Sequence, residues 1–142
     1  MGAESCIGAE GDTGAAKSKL TPSHVELAKL FLNILGSGNL SSLKDIFSED
    51  IRIEYPGLRA VAGSGKVVLL LKRIFSQFET LRFEALDFIQ DGEKLCVTWK
   101  NDGRLKTGDA FRNEGATVLH IRNGAIEYVS DYFKYDRKDT QP

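Results

Sequence analysis

The chain is poor in the residues that carry metal, nucleotide and nucleic-acid chemistry. It has two Cys and two His, far apart in sequence, too few for a conventional zinc site. Neither G-x-x-x-x-G-K-[ST] nor G-x-G-x-x-G occurs, so no phosphate cradle is visible. An excess of one charge is missing too: 19 Lys and Arg stand against 20 Asp and Glu, for a net charge of −1. Nucleic-acid or anionic-membrane binding would need a basic face. No apolar run approaches the ~18 residues of a membrane span, and none of signal-peptide length opens the chain. The expectation is no metal, no cofactor, no nucleic acid and no membrane. Carboxylates, hydroxyls, amides and shape are left to act with.

What is present fits one domain, since 142 residues leave little for a second. Apolar residues make up 42 %, too many for a disordered chain. Gly2, Gly8, Gly11 and Gly14 punctuate residues 1–19, which read as a disordered tail. Residues 136–142 are polar and read as frayed. That leaves 20–135 as the domain. A disulfide between Cys6 and Cys96 is open, but two free thiols in a reducing cytosol is the simpler reading, which places the protein in the cytoplasm.

Thr21-Pro22 predicts a helix start, with Thr as cap. Val25, Ala28, Leu32 and Leu35 form a stripe that Leu27, Leu30, Phe31 and Ile34 widen to most of the girth. Gly36-Ser37-Gly38 ends this helix. Leu40, Leu43, Ile46 and Phe47 predict a short second helix, broken at Ser48-Glu49-Asp50. Ile51 to Tyr55 alternates as a strand. Gly63-Ser64-Gly65 opens a third helix, capped by Ser64. The period is then two. Strands are expected at 81–90, from Lys94 onward, at 110–122 and at 125–135. The turns are Asp91-Gly92, Thr107-Gly108-Asp109 (preferred over Asp102-Gly103, which leaves Gly103 as a bulge) and Asn123-Gly124. The order helix, helix, strand, helix and four antiparallel strands is α+β, with helices on one face of a curved sheet.

Strand parity sorts the side chains. Val129, Asp131 and Phe133 share the drier face of the last strand, so Asp131 is a carboxylate between apolar neighbours. Desolvation there would raise its pKa and suit it to proton transfer; the plainer alternative is a carboxylate tied to a backbone N–H or an Arg. Leu95, Val97, Trp99 and Asn101 share a face. Trp99 could wall a flat ligand and offer its indole N–H, and Asn101 could bind a carbonyl or a water. Tyr55 ends the Ile51, Ile53, Tyr55 face, where its hydroxyl could donate to an oxyanion. Asn113 shares inward parity with Phe111.

Several signposts occur in order: Gly38-Asn39-Leu40, Phe47-Ser48-Glu49-Asp50, Tyr55-Pro56-Gly57, Gly63, Lys106-Thr107-Gly108, Arg112-Asn113-Glu114, Arg122-Asn123-Gly124-Ala125-Ile126 and Asp131-Tyr132-Phe133. In them the chain resembles the nuclear-transport-factor-like superfamily, in its SnoaL-like and ketosteroid-isomerase-like branch, over about 25–133. The resemblance implies a cone-shaped barrel. Its curved, mostly antiparallel sheet wraps around three N-terminal helices and an internal apolar pocket, and it often forms a homodimer through the sheet's outer face. It places Asp131 where SnoaL-like cyclases and limonene epoxide hydrolases carry a catalytic aspartate. It turns Thr117 inward and His120 outward, and sets Phe31 near the oxyanion-hole Tyr position of ketosteroid isomerases. Trp99 and Asn101 stand where epoxide hydrolases show Arg and Asp, and Tyr55 stands where ketosteroid isomerases show Asp. Both departures argue against a literal copy of either reaction.

The candidate catalytic residues are therefore Asp131 and Tyr55. The candidate ligand contacts are Trp99, Asn101, Asn113, Thr117, Val129, Phe133, Phe31 and Ile53. Three functions compete, since this fold hosts many. One is a cofactor-independent isomerase, cyclase or dehydratase acting on a small hydrophobic carbonyl compound. Another is a non-catalytic binder of such a molecule. The third is an interaction protein whose outer face, with Tyr128, Tyr132, Val118 and Leu86, meets a partner or a second copy.

Overall fold

The computed structural model describes residues 22–135. Both tails, Cys6 and Thr21 lie outside them. The first helix, α1 (His24–Ser37), is capped by Ser23 rather than Thr21. The Ser23 hydroxyl accepts from Glu26 N at 3.1 Å, and Glu26 Oε1 accepts from Ser23 N at 2.9 Å. This reciprocal box satisfies two orphan donors, which moves the start past the Thr-Pro signal. Leu27, Ala28, Phe31, Leu32, Ile34 and Leu35 are buried along α1, while Leu30 stays exposed.

The second helix is a short 3-10 turn, Leu40–Asp45. Ile46 and Phe47 fall outside it, and Ser48-Glu49-Asp50 lies within a strand, β1 (Phe47–Glu54), rather than breaking a helix. The cause is long-range: β1 runs parallel to the last strand, and its register shifts between Phe47 and Arg52. A two-residue strand, β2 (Val61–Ala62), pairs antiparallel with β1; it is too short to show a period. In α2 (Ser64–Phe75) the cap is Gly63, at φ 102, so Ser64 is the first helical residue and not the cap.

Four long strands follow: β3 (Phe78–Asp91), β4 (Lys94–Leu105), β5 (Ala110–Arg122) and β6 (Ala125–Phe133). The later of the two turn signals is used, between Leu105 and Ala110. Asn123 and Gly124, at φ 55 and 77, make the two-residue loop that an Asn-Gly pair favours. Gly103 is not a bulge. It pairs with Leu81, and the irregularities fall in β3, between Phe78 and Thr80 and between Ala85 and Asp87. A Cβ on Gly103 would overlap the Thr80 carbonyl oxygen, so glycine is there for close backbone approach.

The sheet order is β2-β1-β6-β5-β4-β3, antiparallel except for β1 against β6. It is curved and stays open at β2 and β3 rather than closing into a barrel. The helices cover its concave face, where Leu95, Val97, Leu119, Ile121, Ile126 and Val129 meet the buried faces of α1 and α2. No described helix is long and apolar enough to cross a membrane.

Candidate functional site

The central position of β6 places Asp131. On one side β6 pairs with β1, Ile53 opposite Val129 and Glu54 opposite Ser130. Tyr55, next along the chain, therefore comes beside Asp131. On the other side β6 pairs with β5, with Thr117 opposite Asp131 and Gly115 opposite Phe133. The inward face of β4 continues the row, with Trp99 opposite Gly115 and Asn101 opposite Asn113.

A hydrogen-bond chain crosses the three strands. Trp99 Nε1–H donates to Thr117 Oγ1 at 2.9 Å, and Thr117 Oγ1 donates to Asp131 Oδ1 at 2.5 Å. Gly115 makes it possible. A Cβ there would come within 2.8 Å of the indole ring, which lies across the empty position to reach Thr117. Mid-strand Gly115, on the same parity as Asn113 and Thr117, was the available sequence signal for this close approach. The indole N–H is thus held by protein and is not offered to a ligand.

Asp131 joins none of the ion pairs among the described residues. Burial pushes its carboxyl up to about 6, and the Thr117 hydroxyl pulls partly the other way. It lines a cavity of about 30 Å³ together with Tyr55, Phe83, Trp99, Asn101 and Phe133, and with Phe75, Phe78, Phe111 and Asn113. Among the described residues Asp131 is the only carboxylate in that lining. The Asn101 amide oxygen is buried and has no hydrogen-bond partner. Leaving such a group unpaired costs roughly 1–3 kcal/mol, so Asn101 has bonding capacity for an occupant.

The other candidate residues divide. Asn113 lines the cavity, but its amide is committed: Nδ2 donates to Tyr135 O at 3.0 Å, and Oδ1 accepts from Tyr135 N at 3.1 Å. Phe133 packs its ring 5.6 Å from that of Tyr55 at the rim. Thr117 is 1 % exposed, behind Asp131 rather than at the surface of the cavity. Phe31, Ile53 and Val129 lie in the closed core and are not brought to it. Phe75, Phe78, Phe83 and Phe111 were not singled out from the sequence, because they come from three other elements and read there as ordinary core. His120 stacks 4.6 Å from Tyr128, away from the cavity.

A larger open depression, about 680 Å³, borders the same two asparagines. It is lined mainly by exposed charges such as Arg82, Lys100 and Asp102, paired as Arg82–Asp102 at 3.7 Å and Lys100–Glu84 at 4.0 Å. These are solvated cross-strand pairs, so the chemistry concentrates in the smaller cavity. No group of three or more His, Cys, Asp or Glu among the described residues could hold a metal.

A family model for the SnoaL-like domain matches residues 28–129. No curated protein matches significantly. Solved structures share the fold at low identity. An NTF2-like protein from Anabaena variabilis is 17 % identical, with TM-score 0.72, over 84 % of this chain and 98 % of that one. A protein with ketosteroid isomerase-like fold from Catenulispora acidiphila, in complex with trimethylamine, is 18 % identical, with TM-score 0.71, over 83 % and 90 %. An LEH-like epoxide hydrolase from M. tuberculosis is 18 % identical, with TM-score 0.67, over 80 % and 84 %.

Proposed function

The chain belongs to the SnoaL-like family, and from that premise we propose that it binds a small hydrophobic carbonyl compound at the mouth of the Asp131 cavity and moves a proton there without a cofactor. The observation that carries this reading is a carboxylate, pushed up to about 6, in an aromatic cavity where no cation among the described residues pairs with it. Such a group accepts a proton near neutral pH and gives it back readily.

In this scheme Asp131 takes a proton from a carbon beside the carbonyl and returns it to the same ligand. An isomerisation results when the proton goes back at another carbon; a cyclisation or dehydration follows when the carbanion attacks or expels a group. Negative charge gathers on the carbonyl oxygen, where donation from the Tyr55 hydroxyl supports this step, while the unpaired Asn101 Oδ1 accepts from a hydroxyl or N–H elsewhere on the ligand. The cavity as it stands has room for one water-sized occupant. A larger ligand therefore needs the partly exposed rings of Tyr55, Phe83 and Phe133 to turn aside.

Carbon-13 NMR of the Asp131 carboxyl across pH 3–9 tests the reading. A midpoint near 6 is expected. A midpoint near 4, that of an ordinary carboxylate, would leave Asp131 no better suited to proton transfer than any surface acid, and non-catalytic binding would replace this reading.

A second proposal rests on the outer face. Ile89, Leu86 and Tyr132 are 64, 46 and 59 % exposed, an apolar surface that a second copy would cover. Analytical ultracentrifugation is expected to give twice the monomer mass, and Tyr132→Lys is expected to lower it. A monomer at micromolar concentration would remove the homodimer.

A further inference from the structure

Resting on the reading of Asp131 as the proton-transfer group, we propose that Trp99 and Thr117 are positioning residues that decide which oxygen of Asp131 exchanges its proton: Oδ1 is held by Thr117, and Oδ2 alone serves the cavity. An indole N–H donates and cannot accept. Thr117 Oγ1 must therefore accept from Trp99. Its single hydrogen then points along the short contact to Asp131 Oδ1. Accepting from the indole polarises that hydroxyl as a donor, and this favours Oδ1 as the acceptor whether Asp131 is charged or neutral. The proton enters and leaves at the other oxygen.

The fixing elements are themselves held. Trp99 is 3 % exposed, and its ring meets Phe83 edge-on at 5.2 Å. Gly115 leaves no side chain to push the indole off its line. Without Trp99 a threonine hydroxyl could turn to accept from a protonated Oδ1, and the two carboxyl oxygens would become interchangeable. Among the described residues no other charged group lines the cavity. Of the side chains lining the cavity from α2, β3, β4 and β5 none titrates, and from the segment after β1 only Tyr55 does.

The chain has one Trp, so a single indole N–H resonance reports the relay in the native protein. That resonance is expected to shift with pH at the same midpoint as the Asp131 carboxyl carbon, because the charge on Oδ1 polarises Thr117 and, through it, the indole. An indole resonance that stays flat through that midpoint overturns the proposal. Thr117→Val removes the donation that favours the charged carboxylate and is expected to raise the Asp131 midpoint by about one pH unit. It should also uncouple the indole, and Thr117→Ser should restore both. A valine variant that folds and titrates like the native protein equally overturns the relay. An Asp131 midpoint near 4 in the native protein is a different result. It ends the proton-transfer reading, while the relay is still judged by whether the indole follows Asp131 at that lower pH.

Discussion

Asp131→Asn is expected to abolish turnover and stabilise the protein at pH 7. The first effect follows from proton transfer, which a positioned acid–base group typically accelerates by about 10²–10⁴-fold. An amide of the same shape keeps the bond from Thr117 but cannot take up a proton. The second effect follows from linkage. An unfolded aspartate titrates near ~3.9, whereas Asp131 in the folded chain is pushed up to about 6, chiefly by burial. Between those values the folded state holds a proton that the unfolded state has released, so stability falls as pH rises from about 4 to about 6. A gap of about two pH units corresponds to roughly 2–3 kcal/mol.

The Asn variant has no charge to bury, so this fall disappears. Its unfolding free energy should match that of the wild type near pH 4 and exceed it by roughly 1–3 kcal/mol above pH 7. Denaturant titrations at the two pH values check the stability, and assays with whichever small carbonyl compounds the wild type converts check the activity. An inert variant that is less stable than wild type at pH 7 would make Asp131 an anchor rather than an acid. Retained turnover would remove it from the chemistry.

Phe31→Ala should act in the opposite way. Phe31 is 1 % exposed, within the core between α1 and the sheet, with its ring 6.1 Å from that of Phe47. Truncating a buried phenylalanine removes its transfer free energy and leaves a cavity, a loss of roughly 3–5 kcal/mol. That is a large part of a typical domain's stability of about 5–15 kcal/mol. The denaturant midpoint should drop accordingly, while the Asp131 midpoint stays where it was, because Phe31 is not in the cavity lining. A folded variant with near-native stability and a moved Asp131 midpoint would return Phe31 to the ligand site that its position along α1 suggests by resemblance.

Legibility in the sequence followed the reach of the interaction. Face assignment depends on a period of two within one strand. The alternation of β4 and β6 therefore grouped Trp99 with Asn101 and set Asp131 among apolar residues without knowledge of any neighbour, whereas the inward turn of Thr117 in β5 came from the family resemblance. The Asn-Gly loop before β6 is equally local, needing only two residues that accept positive φ. Helix starts were less legible, because the Ser23–Glu26 box outcompeted Thr21-Pro22 and a Gly63 cap displaced Ser64. The two-residue β2 was hidden because it is too short to show a period, and the strand character of Ser48-Glu49-Asp50 because these residues lie in the register shift between two points, Phe47 and Arg52, where β1 joins the distant β6.

The sequence by itself determined the α+β class, which residues share a face within β4, β5 and β6, and the isolation of one acid, Asp131, among apolar neighbours. Only the tertiary structure decided what that acid touches. The sheet order puts β6 between β1 and β5, which brings Tyr55 to one side of Asp131 and Thr117 to the other. The empty position at Gly115 lets Trp99 cross to Thr117, so the indole serves the carboxylate instead of a ligand. The same packing draws Phe31, Ile53 and Val129 into the core and narrows the cavity to about 30 Å³. The physical reason is that parity is fixed by the backbone of a single strand. Cross-strand and diagonal contacts depend on which strands lie side by side and on how closely, and the packing of the whole sheet against its helices sets both.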